Sequence, residues 1–215
     1  MKKDTSPNQK MLNTWAIVVI IWSIYRSYFH TQLPIWVDEL IAKPAVFLIP
    51  VWYYITKIEK GTFLHGVDLK IGNAKDVLFG LLAGLVVFGT GLLAYYLKHN
   101  GSLPVISSSV YYYVLIAVAS SFSEEILSRG FVLKRLYEES KNIYTSVFFA
   151  SFLFFMLHIP ILFSNPAMHG AVLIQVMIMD LLLSFGVSLA YLQRKNLVVA
   201  IIIHAFYNLG IYLIL

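Results

Sequence analysis

Residues 111–140 read YYYVLIAVASSFSEEILSRGFVLKRLYEES, an oily run broken by two adjacent glutamates and an arginine. A second oily run, SVFFASFLFFML at 146–157, follows a short basic stretch. A charge at the centre of a bilayer costs ~3 kcal/mol on insertion scales, so Glu124, Glu125 and Arg129 need partners that offset that cost. From Ser121 to Glu139 there is no proline and one glycine, Gly130, while Ile126, Leu127, Phe131, Val132, Leu133 and Leu136 continue an apolar surface. The stretch therefore predicts one helix that runs on past residue 123 into the cytoplasm, with Glu124 well inside the protein.

Outward from that helix, composition sets the class. The 215 residues are 59% hydrophobic and only 13% charged, against about a quarter charged in soluble domains. This predicts an all-α, polytopic membrane bundle forming a single membrane-embedded domain over 1–215. Seven apolar segments can be drawn, at 11–29, 41–57, 76–97, 106–123, 144–163, 170–192 and 197–215. Several hold ~20 residues, enough to cross a ~30 Å hydrocarbon core. The second is short and carries Pro44 and Pro50, which predicts a kink or partial re-entry. MKKDTSPNQKMLNTWAIVVIIW, at the start, reads as a retained first membrane helix rather than a cleaved signal.

With the N-terminus inside, every Lys and Arg except Arg26, Lys43 and Lys98 falls on the cytoplasmic side. Arg26 and Lys43 lie near the outer ends of segments 1 and 2, where long side chains snorkel. That bias predicts an N-in, C-out topology in the plasma membrane, with 30–40, 98–105 and 164–169 as external connections. The net charge of +5 is then a matter of membrane orientation and calls for no nucleic acid. The absence of cysteine excludes disulfides, thiol nucleophiles and cysteine metal sites.

The remaining polar residues concentrate the chemistry. Glu125 and Arg129 are four apart and share a helical face, as do Glu124 and Ser128. Glu124 and Glu125 point about 100° apart. One can therefore act while the arginine holds the other. His30, His65, His99 and His169 fall in predicted connections, but His158 and His204 lie inside apolar segments. Intramembrane ionisable groups usually face the bundle interior and mark function. Asn208 is one turn after His204, and Phe154, one turn before His158, reads as packing. Asp180 reads as a structural acid paired with an interior polar group, with membership of the site as the alternative. Counted at 1.5 Å per residue from the cytoplasmic ends, His204 lies ~11 Å deep, His158 ~21 Å and Glu124 ~20 Å. Tilt and side-chain reach must supply the common level.

HExxH, GxSxG, a rhomboid-type serine and GxGD are all absent from the sequence. Carboxylate, imidazole and amide remain. A glutamate with a histidine can activate water, while a second histidine and an asparagine suit a developing oxyanion. Alternatively, two histidines and a carboxylate are a catalytic zinc set with an open water position. Both lead to hydrolysis.

EEILSR fits EExxxR, FFMLH ends FxxxH, and HAFYN fits HxxxN. In this order, on successive membrane helices, they resemble the CAAX protease and bacteriocin-processing family (CPBP, or Abi). The resemblance covers about 115–210 and includes GVSLAYLQRKNLVVAIIIHAFYN. It implies an intramembrane endopeptidase acting on a membrane-associated peptide or protein, either prenylated or bacteriocin-like. The compactness of the chain points to the bacterial branch and away from a prenylated substrate. Glu124 would be the base, with His158 assisting. Glu125 and Arg129 would form a supporting pair, and His204 and Asn208 would stabilise the oxyanion. In a metal-dependent version His158, His204 and Glu124 would hold a divalent ion such as zinc. Two other functions fit the residues: a non-catalytic bacteriocin-immunity or scaffold protein on the same fold, and a small proton-coupled transporter.

Overall fold

The computed structural model describes residues 6–28, 33–104, 109–164 and 170–214. Helix α1 is Pro7–Tyr28 and α2 covers 35–58. A single turn, α3, is Phe63–Gly66, and α4 is Ala74–Lys98. The long helix α5 is Val110–Ser140, followed by α6 at Ile143–Ser164, α7 at Gly170–Arg194 and α8 at Leu197–Ile214. The described residues contain no strand. Among them four helical stretches are long and apolar enough to cross a membrane: Ala74–Lys98, Val110–Ser140, Ile143–Pro160 and Gly170–Arg194. Leu197–Leu213 is apolar and shorter.

The continuation of α5 past residue 123 is as the sequence predicts. Its second half, from Ser123 to Leu133, is buried without a break and forms the axis of the bundle. The polarity of the molecule is inverted relative to a soluble protein. Leu82, Leu115, Phe148, Phe152, Ile174 and Leu182 face outward. Glu39, Lys43, Glu124, Glu125 and Arg129 are buried. That distribution is the signature of an integral membrane protein, in which ionisable groups turn away from lipid toward one another.

Helix α2 differs from expectation. It begins at residue 35, so 35–40, predicted as connection, is helical. Two wide π-helical turns, Asp38–Ala42 and Tyr54–Ile58, flank its regular segment Lys43–Tyr53. The first ends with the Lys43 N–H reaching back five residues to the Asp38 carbonyl. Pro44 follows directly, near the start of the regular segment, where a missing N–H is tolerated. Pro50 lies inside the regular segment, and the irregularity of α2 takes the form of the two wide turns that flank it. The connections 30–40, 98–105 and 164–169 fall partly outside the described residues.

One end of the bundle is tied by polar contacts from the 59–76 segment. Lys134 pairs with Asp68 at 2.9 Å, and the Tyr191 hydroxyl donates to Asp68 at 2.9 Å. Arg135 pairs with Glu59 at 2.5 Å and Arg194 with Asp76 at 2.5 Å. Asn196 caps α8 through Val198 N–H and donates to Asp76 at 2.9 Å. These contacts fix the ends of α5, α7 and α8 relative to one another. At the contact between α4 and α8, Gly80 and Gly84 form a small-residue face that admits Ile202 and Phe206.

Candidate active site

Glu124, His158 and His204, whose rough depths disagreed, meet at one point. Glu124 Oε2 is 3.6 Å from His158 Nε2 and 3.6 Å from His204 Nε2. The other ring nitrogens fix the tautomers. His158 Nδ1 lies 3.1 Å from the Phe154 carbonyl oxygen, which can only accept, so Nδ1 is protonated. His204 Nδ1 lies 2.7 Å from Glu125 Oε1 and is protonated for the same reason. In the neutral rings both Nε2 atoms therefore present lone pairs toward a carboxylate oxygen. Three acceptors face a common space at separations too long for a direct hydrogen bond. Such a place calls for a donor between them, and a water molecule has two O–H groups to give.

The adjacent glutamates do not divide into one that acts and one that is remote. Their 100° offset sets them on opposite sides of the His204 ring, Glu125 at Nδ1 and Glu124 at Nε2. Glu125 is held as predicted by Arg129, at 2.7 Å. Arg129 also donates to Ser184 Oγ at 2.8 Å and lies over the Phe154 ring at 4.3 Å. Phe154 is packing, as expected, but packing of a particular kind. Its ring meets those of His158 and His204 at 4.6 Å and 5.7 Å, and its carbonyl sets one tautomer. Directly after Glu125, α5 opens into a π-helical segment, Ile126–Leu133. Such widenings are rare and concentrate at functional sites.

Asn208 does not touch the cluster directly. Its Nδ2 donates to Ser121 Oγ at 3.0 Å, one turn before Glu125, and the amide carries a second N–H. Asp180 accepts from the Tyr207 hydroxyl at 3.0 Å, the interior polar partner that a structural acid requires. Ser128, on the Glu124 face, has a buried hydroxyl without a hydrogen-bond partner. His99 stacks on Tyr95, away from the site, and His65 lies in α3. His30 and His169 lie outside the described residues.

Two basic residues overturn the snorkelling expectation. Arg26 is buried and pairs with Asp38 at 2.6 Å. Lys43 is also buried, and its ammonium spends its three donors on Glu39 Oε2 at 2.5 Å, Glu124 Oε1 at 2.7 Å and Ser120 Oγ at 2.9 Å. Burial wins because each cation finds an acid inside the bundle, which no lipid interface supplies at that depth. Sequence reasoning missed Lys43 as a neighbour of the site. The available signal was the i,i+4 spacing of Glu39 and Lys43, which repeats that of Glu125 and Arg129.

Two imidazole lone pairs and a carboxylate are donor types that zinc accepts. Among the described residues, however, no three His, Asp or Glu side chains stand as a set able to hold a metal ion. Glu124 also carries the buried Lys43 ammonium on its other oxygen, Oε1, at 2.7 Å.

The fold and site define a membrane-embedded helical bundle built around a buried cluster of carboxylates and imidazoles. Residues 106–210, about half of the chain, match the family described as Type II CAAX prenyl endopeptidase Rce1-like. Over those residues the chain belongs to the Rce1-like branch of the CPBP proteases, a family of endopeptidases. No curated protein matches the chain.

Proposed function

We propose that the protein is an intramembrane endopeptidase that hydrolyses a membrane-associated peptide with water activated by Glu124 and His158. The observation that carries this is the convergence of Glu124 Oε2 with two imidazole Nε2 atoms. A water that donates to Glu124 Oε2 and His158 Nε2 has its oxygen lone pairs directed away from them, toward an incoming carbonyl, while His204, protonated at both nitrogens before the reaction, is left to donate. Glu124 takes a water proton as the oxygen attacks; the carbonyl π electrons move to its oxygen. Collapse of the tetrahedral species breaks the C–N bond, and the proton passes to the departing amine. His158, 21% exposed against 2% for His204, marks the side from which substrate arrives. Asn208, through its second N–H, and His204, in its doubly protonated form, are the oxyanion donors. Glu125 on Nδ1 supplies the counter-charge for that form of His204.

In this reading α1, α2 and α8 join the four long apolar stretches to give seven spans, N-in and C-out in the plasma membrane, with the site open to the cytoplasm. The tied end carrying Lys134, Arg135 and Arg194 supports that orientation, because basic residues collect on the cytoplasmic side.

The test uses purified protein in liposomes with two probes, a farnesylated peptide ending in a CAAX sequence and an unmodified membrane-anchored peptide. Glu124→Gln, His158→Ala and His204→Ala should each lower cleavage by at least ~100-fold while the protein remains folded. Chelator treatment should leave wild-type cleavage unchanged. Cleavage that survives all three substitutions contradicts catalysis and favours a binding or immunity role. Loss on chelation, restored by zinc, contradicts the metal-free mechanism.

A further inference from the structure

We propose that Lys43 is a positioning residue of this site, choosing which oxygen of Glu124 faces the reaction. The inference rests on the reading of Glu124 as the group that activates water. It places an essential part of the site in α2, outside residues 106–210 where the family match lies.

The geometry is that of a tripod. All three ammonium donors of Lys43 are committed, to Glu39, Glu124 and Ser120, with none left to rotate elsewhere. Ser120 in turn donates to the same oxygen of Glu124, Oε1, at 3.0 Å. Oε1 thus receives two hydrogen bonds, and Oε2 is left for the two imidazoles. Without the tripod the carboxylate is free to turn about its terminal torsion, which has a broad, two-fold profile. A displacement of ~1 Å at a reacting group can cost ~100-fold in rate. Glu39 anchors Lys43 from one helical turn away, and the wide turn Asp38–Ala42 brings that acid inside. The charges balance in the proposed reaction: Glu39, Glu124 and Glu125 face Lys43, Arg129 and the doubly protonated His204, and of these cations Lys43 is the one hydrogen-bonded to Glu124 Oε1.

An ion pair that merely ties α2 to α5 would affect folding and leave the chemical step alone. The two roles separate in a comparison of wild type with Lys43→Arg, Lys43→Met and Glu39→Gln, using the two peptides above in liposomes. Positioning predicts that Lys43→Met lowers kcat by ~100-fold with KM within about twofold, that Lys43→Arg recovers at least ~10-fold of the loss, and that Glu39→Gln falls between. A second readout needs no turnover. A hydrophobic carbodiimide, which modifies a carboxyl group freed of its counter-ion, should label Glu124 in Lys43→Met and spare it in wild type and Lys43→Arg, as mapped by mass spectrometry. If Lys43→Met does not fold, Glu39→Gln carries the comparison, with a smaller gain of labelling and a partial loss of kcat. Unchanged kcat, a loss confined to KM, or Glu124 labelling equal to wild type in the folded variants overturns the proposal. If wild type cleaves neither peptide, the peptidase reading fails separately, and the labelling alone decides whether Lys43 holds Glu124.

Discussion

Arg129 is 1% exposed, and its guanidinium is divided among Glu125, Ser184 and the face of Phe154. Removing it strands a carboxylate whose Oε2 already lacks a hydrogen-bond partner. Breaking a buried pair in this way costs ~3–5 kcal/mol, whereas replacing both members costs less. Arg129→Met should therefore lower stability to denaturant in detergent by about that amount, and Glu125→Gln with Arg129→Met should recover part of it. This pair was legible in the sequence, because its four-residue spacing inside an apolar run leaves few other uses for the charges. His158 and His204 were legible for the same reason. Lys43 and Arg26 were not. A long basic side chain near the end of an apolar segment reads the same whether it reaches out to lipid headgroups or inward to an acid. The acids that decide the matter for Lys43 are Glu39, four residues before it in a stretch that reads as a connection, and Glu124, 81 residues away in the chain.

Helix α5 places the site through its register. The sequence made the continuity of this helix readable, since nothing between Ser121 and Glu139 breaks it. The wide turn Ile126–Leu133 has no comparable signature, because the residues that form it would serve equally well in a regular helix. Gly130 sits in that turn against the 67–68 connection. A Cβ there would lie 2.8 Å from Val67 Cβ and 3.0 Å from the Val67 carbonyl oxygen, so backbone would have to move. Gly130→Ala should destabilise the protein by ~1–3 kcal/mol, the usual range for overpacking. Gly186→Ala, with nothing within 4 Å of its added carbon, should leave the melting temperature unchanged or slightly raised. Parallel thermal melts in detergent compare the two. In α2 the prolines announced an irregularity, but the acids Asp38 and Glu39 looked like part of a connection. That is why the helix start and its share of the site went unread.

The whole molecule turns its apolar surface outward and its charges inward, and the orientation proposed for it has a direct readout. The chain contains no cysteine, so single cysteines report without background. Ser102→Cys, in the exposed connection after α4, should react with an impermeant thiol reagent on intact cells. Glu139→Cys, exposed at the far end of α5, should react only after permeabilisation. The reverse pattern would invert the topology and turn the site away from the cytoplasm. The class of the molecule and its motifs were visible from composition and spacing. The meeting of three helices at one point was not, because depth along each helix, counted separately, carries no information about tilt. That meeting is the centre of the account, and a kinetic double-mutant cycle on Glu124 and His158 tests it most directly. If the two side chains act on one water, Glu124→Gln with His158→Ala should lower kcat/KM no further than the worse single variant. Losses that multiply would mean that the two groups act independently, contradicting a shared water.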